Sequence, residues 1–267
     1  MVSQERRRVA VAGATGRVGR HVVDVLEARG HDVVRISRSS GVDVITGEGL
    51  ADALEGVECV VDTATGPSPE QQAATEFFTT AARNLHHAGE PAGVRRIVVV
   101  SIIGCDRFSG GYNAAKFVHE KAVLSGKLPV AILRAAPFHE LVGQLVDWGR
   151  QDEVSYVPMM RAQLVAARTV AEALADLATG PEREHEGASA APIPEIAGPR
   201  EERVVEMAKL LVRQRGDPVR IEGVSDPTDP DSELYLSGAL LPRPHAILAG
   251  PTFEQWLANE EEGDLQR

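Results

Sequence analysis

The chain has 267 residues, 43% of them hydrophobic, and a formal net charge of −11. That acidity argues against nucleic-acid or anionic-membrane binding, and the length suits one large domain or a domain with a smaller lobe. No apolar stretch reaches the length of a membrane span or a signal peptide, and Cys59 and Cys105 lack metal-ligand spacing, so the expectation is a cytoplasmic protein with neither a disulfide framework nor a metal site.

The first element is the strand that runs into Val9–Gly19, VAVAGATGRVG. Its glycines, Gly13, Gly16 and Gly19, stand between an apolar strand and a helix in which Val18, Val22, Val25 and Leu26 recur at helical spacing. Each glycine has its own task. Gly13 turns the chain at the strand end, Gly16 leaves room for a pyrophosphate against the backbone, and Gly19 lets the helix lie close on the sheet. The N–H groups and positive dipole end of the helix, around Thr15, Arg17 and Val18, face the phosphates.

The second strand, His31–Ser37, ends in Ser37-Arg38-Ser39-Ser40. A carboxylate there reads the ribose 2′-hydroxyl of NAD, whereas an arginine accommodates a 2′-phosphate. The absence of the acid and the presence of Arg38 therefore predict NADP(H) as cofactor. Asp43 and Val44 follow, with Asp43 placed to accept from an adenine amino group or to serve as an ordinary loop carboxylate. Leu50–Leu54 reads as a short helix. Val57–Thr63 reads as a buried strand ending at Ala64 and Thr65, small residues under which a cofactor would pass.

Glu70–Ala88 reads as a helix. Its adjacent His86 and His87 point in different directions and are expected at the surface. Val94–Ile102 is a core strand carrying Ser101 near its end. A glycine-rich loop then opens a helix at Tyr112 that runs to Leu124. Tyr112 and Lys116 are four residues apart and share one face. A lysine beside a phenol favours the phenolate and poises the tyrosine for proton transfer to a carbonyl, with Ser101 holding the carbonyl oxygen.

The next strand, Pro129–Arg134, is followed by Pro137, Phe138 and His139. Ligands of open α/β sheets sit beyond the carboxyl ends of strands, so Pro137 and Phe138 are expected on the nicotinamide or substrate side, and His139 is a candidate substrate contact, although a lone histidine after a strand is more often structural. Leu141–Trp148 reads as a helix, and Val154–Ala166 as short extended pieces. Thr169 reads as the cap of a helix to Leu177. Residues 180–192 read as an exposed loop. Ile193–Ala197 is a strand, Arg203–Arg215 a helix and Val219–Val224 extended. A long connection over Asp226–Pro244 holds one short turn or helix, and a last helix begins behind Thr252.

GATGRVG, SIIGCDR, YNAAK and LRAAPFHE together resemble the short-chain dehydrogenase/reductase superfamily, and within it the atypical, NmrA-like NAD(P)-binding branch. The resemblance spans roughly residues 7–260 and is firmest over 8–140. It implies an α/β fold, a doubly wound parallel sheet of Rossmann type with a smaller C-terminal substrate lobe. The NADP-binding core would take residues 1–136. The remaining strands and the lobe would take 137–267. It also maps the family's catalytic serine, tyrosine and lysine onto Ser101, Tyr112 and Lys116, with Lys116 on the nicotinamide ribose as well. Thr65 and Gly66 stand where many relatives carry an asparagine motif. The expected function is NADPH-dependent reduction of a small carbonyl, quinone or related electrophile by a monomer or homodimer. The alternatives are a sugar-nucleotide epimerase or dehydratase, and a non-catalytic NADP-binding redox sensor.

Overall fold

A computed structural model of the chain describes residues 5–181 and 192–264, with side chains as far as residue 259. The loop expected over 180–192 lies almost wholly outside these residues. The first half of the chain comprises β1 (Arg8–Ala12), α1 (Gly19–Ala28), β2 (Asp32–Ile36), α2 (Leu50–Ala53), β3 (Cys59–Asp62), α3 (Gln71–Ala92), β4 (Arg96–Ile102), α4 (Gly111–Leu124) and β5 (Val130–Ala135). There follow α5 (His139–Trp148), β6 (Arg150–Gln151), β7 (Val154–Pro158), β8 (Arg161–Ala162), α6 (Ala167–Thr179), β9 (Glu195–Ala197), β10 (Glu202–Arg203), α7 (Val204–Gln214), β11 (Arg220–Val224), α8 (Ser232–Ser237), β12 (Ile247–Leu248) and α9 (Phe253–Asp264).

The apolar runs of β1, β3 and β4 are buried along nearly their whole length, as strands covered on both faces must be. They belong to a seven-stranded parallel sheet of order β12-β9-β5-β4-β3-β1-β2, a Rossmann-like α/β arrangement. The chain leaves β1 for β2 on one side and returns to β3 on the other, with Ala10 paired to Val34 and to Val60. The direction of winding therefore reverses between β1 and β3, and their carboxyl ends, Ala12 and Asp62, flank the switch point where such sheets bind ligands.

The chain forms two compact units. The first takes in Met1–Ser101, Gly111–Leu133 and Val170–Ile193. Its core gathers Ile36, Leu50, Val60, Leu85 and Ile97. The second unit takes in Ile102–Gly110, Arg134–Thr169 and Pro194–Arg267. It holds the small sheet β11-β7-β6, the pair β10-β8 and a core that includes Val142, Val157, Leu164, Leu211 and Phe253.

Local chemistry departs from expectation at several points. Thr169 is not a cap. It lies inside α6, whose first N–H, on Ala167, donates instead to the Glu140 carboxylate at 3.2 Å. The long α3 runs past Ala88 and carries Pro91 in its last turn before Gly93 closes it at φ +80°. His86 is not a surface residue. It is buried, donates from Nε2 to Val123 O at 2.8 Å and accepts from Leu128 N at Nδ1, fixing α3 to the chain that follows α4. Thr252 does cap α9, accepting from Gln255 N at 3.3 Å, and that helix continues to Asp264.

Candidate active site

The site is built from the first unit. Gly13 ends β1 at φ +75°, and its N–H donates to Ile36 O at 3.0 Å. A Cβ there would stand 2.8 Å from Ala64 Cα, and one on Gly19 only 2.1 Å from Gly13 O. These two glycines thus let β1, β3 and α1 close on one another. Gly16 differs: a Cβ would meet only Gly13 O, at 3.1 Å. Thr15 and Gly16 are exposed, Arg17 is half-buried and Val18 buried. Among the described residues no acceptor takes the Thr15 N–H. A turn that is tight on its inner side and open, with an unspent donor, on its outer side fits a pyrophosphate.

Arg38 lies in a short 3-10 turn closed by reciprocal bonds between Ser37 and Ser40. It is exposed and makes no ion pair among the described residues, so its guanidinium is available to an anion. Asp43 Oδ1 is taken up by Ile45 N at 2.7 Å, an Asx turn that shapes its own loop, and Val44 is buried. At the end of β3, Ala64 N donates to Asp62 Oδ1 at 3.0 Å, while Thr65 is exposed.

Tyr112, Lys116 and His119 occupy successive turns of one face of α4. Tyr112 is half-buried with its ring edge toward Phe78 at 5.7 Å. Lys116 is buried. Its ammonium donates to Val100 O and to His119 Nδ1, each at 2.9 Å, and lies 4.5 Å above the Phe78 ring. Ser101 is buried beside Val100 near the end of β4. The His119 ring stacks on Phe78 at 4.7 Å, and its Nε2 stands 3.3 Å from Asp62 Oδ2. That contact is at ion-pair distance without hydrogen-bond alignment, and neither atom has another partner.

The electrostatics differ from the expectation for a lysine beside a phenol. Burial and then the Asp62 charge push the Tyr112 hydroxyl up to about 12, with the lysine turned toward its own acceptors. Burial also acts to raise Asp62, but the His119 ring, the Lys116 charge and the Ala64 N–H outweigh it and hold the carboxyl below its ordinary range. Burial and the Lys116 charge lower His119, whose ring is therefore neutral near pH 7. The sequence pattern does not mark Asp62, His119 or Phe78 as site residues. The available signal was a charged strand end and a histidine seven residues beyond the tyrosine.

Pro137, Phe138 and His139 belong to the second unit. Pro137 and Phe138 are half-buried at the start of α5. His139 is no candidate wall residue: it is wholly buried against Phe253 and Trp256, with Nε2 3.1 Å from Pro251 O. Among the described residues no cluster of histidine, cysteine and acidic side chains could hold a metal ion, and no helix is long and apolar enough to cross a membrane.

A glycine turn at the switch point of a parallel sheet, with a tyrosine and lysine on one helix face, defines a dinucleotide-binding protein of the short-chain dehydrogenase/reductase kind. The chain belongs to the NAD(P)H-binding family, whose family model matches residues 13–179. It is similar to a 3-beta-hydroxysteroid dehydrogenase of Mycolicibacterium neoaurum, 27% identical over an alignment covering 56% of this chain and 50% of the relative. It is also similar to the photosystem II assembly factor Ycf39 of Synechocystis sp., 29% identical over 51% of this chain and 47% of that one. The chain thus spans about half the length of these curated relatives. Among solved structures, the NAD-dependent NDP-hexosamine 5,6-dehydratase TunA superposes with a TM-score of 0.70 at 16% identity, covering 98% of this chain and 99% of its own. MoeE5 in complex with UDP-glucose and NAD gives 0.69 at 18% identity, covering 97% and 99%. At these identities the structures speak for the fold.

Proposed function

We propose that the chain is an NADPH-dependent oxidoreductase that reduces a small carbonyl, a quinone or a related electrophile. The observation that carries this reading is the placement of Tyr112 and Lys116 on one face of α4, in the same compact unit as the glycine turn and Arg38. Gly13, Thr15, Gly16, Arg17, Val18 and Gly19 would hold the pyrophosphate and Arg38 the 2′-phosphate. Ala64 and Thr65 would lie under the cofactor, and Asp43 and Val44 beside the adenine. When bound, the reduced nicotinamide supplies a hydride.

The chain's own part is the proton. A phenol pushed up to about 12 is protonated at neutral pH, the form that a donor to a developing alkoxide needs. Lys116 brings a positive charge to the inner end of the face, and Ser101 orients the substrate oxygen. After the transfer Tyr112 recovers its proton from solvent.

Single-turnover oxidation of NADPH with a panel of aldehydes, ketones and quinones tests this reading. Tyr112→Phe should lower the rate by about 10²-fold or more, the usual worth of general acid catalysis, with NADPH affinity nearly intact. An unchanged rate removes Tyr112 from the mechanism. NADPH binding without turnover on any substrate favours the redox sensor.

A further inference from the structure

Beneath Tyr112 runs a line of three buried polar groups, Lys116, His119 and Asp62, of which the proton step uses only the first. An apolar core at these positions would be at least as stable, because burying a charge pair seldom repays its desolvation. The line has a definite polarity. Lys116 Nζ carries only donors, so His119 Nδ1, at 2.9 Å, accepts from it. The neutral ring then holds its single proton on Nε2, 3.3 Å from Asp62 Oδ2, where the carboxylate charge favours it without an aligned hydrogen bond. The other carboxylate oxygen is committed to Ala64 N.

We propose that Asp62 and His119 are positioning residues for Lys116: the carboxylate fixes the imidazole tautomer, and the imidazole holds the ammonium at the inner end of the Tyr112 face. This rests on reading Tyr112 and Lys116 as the reaction centre. The carboxylate is suited to the task because both its oxygens only accept. An amide in its place has one oxygen for two donors. Whichever way that amide turned, one of its N–H groups would face either the Ala64 N–H or the imidazole Nε2 proton. With its nitrogen toward the ring, the amide would drive the ring to carry its proton on Nδ1, against the lysine; with its nitrogen toward Ala64, it would set N–H against N–H there. Asp62→Asn is thus nearly isosteric and yet breaks the chain of acceptors.

The test is the exchange of the Lys116 ammonium protons in the full chain labelled with ¹⁵N-lysine. The sequence holds four lysines, of which Lys121, Lys127 and Lys209 are exposed and Lys116 is buried, so its slowly exchanging signal is assignable. Asp62→Asn and His119→Leu should each accelerate exchange about tenfold or more, the equivalent of one charge-assisted hydrogen bond. His119→Gln, which keeps an acceptor, should recover part of the protection. Circular dichroism confirms the fold, and Asp62→Asn carries the test alone if His119→Leu does not fold. In the reductase assay Asp62→Asn should lower kcat about tenfold or more and leave KM for NADPH within about twofold.

Wild-type exchange in Asp62→Asn overturns the proposal. So does accelerated exchange with an unchanged kcat, which would make the line a core contact only. If the wild-type protein turns over no substrate, the reductase reading falls, and the exchange measurement still decides whether Asp62 and His119 hold the lysine.

Discussion

Gly19 and Gly16 stand in one turn, and replacing each probes a different property of it. A Cβ on Gly19 would lie 2.1 Å from Gly13 O and 2.7 Å from Thr63 Oγ1. Neither obstacle moves freely: Gly13 is tied by its N–H to Ile36 O, and Thr63 Oγ1 donates to Ala12 O at 2.8 Å. Overpacking costs ~1–3 kcal/mol where neighbours relax. Here the main obstacle is backbone, so Gly19→Ala should cost about 3 kcal/mol, or ~6–12 °C in Tm for a chain of this size. At Gly16 the added carbon meets one atom at 3.1 Å. Gly16→Ala should therefore stay within about 1 kcal/mol of wild type. Gly16→Val should remain folded but lose NADPH binding, because its methyls fill the approach to the turn. Thermal unfolding followed by circular dichroism reads the first effect and calorimetric titration the second. A Gly19→Ala protein as stable as wild type, or a folded Gly16→Val protein with wild-type affinity, would refute the reasoning.

In the second unit, Asp231 is buried and accepts from Ser109 N and Gly110 N at 2.7 Å and from Ser109 Oγ at 2.9 Å. Asp231→Ala leaves these donors without their acceptor and should cost about 3 kcal/mol in denaturant unfolding; a loss under about 0.5 kcal/mol would contradict that. His139 is wholly buried, and burial lowers it to about 4, below the 6.5 of an unfolded histidine. Between those values the unfolded chain binds the extra proton. The stabilising effect is therefore complete above pH 6.5 and falls away toward pH 4, by at most about 3 kcal/mol. His31, His86 and His119 are lowered too, so the His139 share is the difference in slope between wild type and His139→Leu. Identical slopes would show that His139 titrates normally.

The parts legible in the sequence were those whose chemistry is local. A glycine turn must be written in glycines at fixed spacing, and Gly13, Gly16 and Gly19 announce it. Tyr112 and Lys116 share a face because helical geometry dictates it. The parts that were not legible depend on partners distant along the chain. Asp62 and His119 are 57 residues apart, and nothing in either neighbourhood marks the other. A hydroxyl ahead of an apolar run made Thr169 read as a cap, yet the acceptor is Glu140, supplied from 27 residues earlier. His86 read as a surface residue because His87 follows it. Its face of α3 happens to meet Val123 and Leu128. His139 read as a structural histidine or a substrate contact, and the rings of Phe253 and Trp256, more than a hundred residues on, place it in the core.

The central claim is that the first unit holds a nicotinamide dinucleotide through the glycine turn and prefers the phosphorylated form through Arg38. Equilibrium titration of the purified chain with NADPH and NADH at one ionic strength tests it most directly. A charge-assisted contact contributes ~1.5–3 kcal/mol, and the exposure of Arg38 with salt screening pulls this to the low end. NADPH should therefore bind about tenfold more tightly than NADH, and Arg38→Asp should reverse the order. Saturable binding of NADPH with that preference is the predicted result; the absence of saturable binding by either nucleotide would contradict the account.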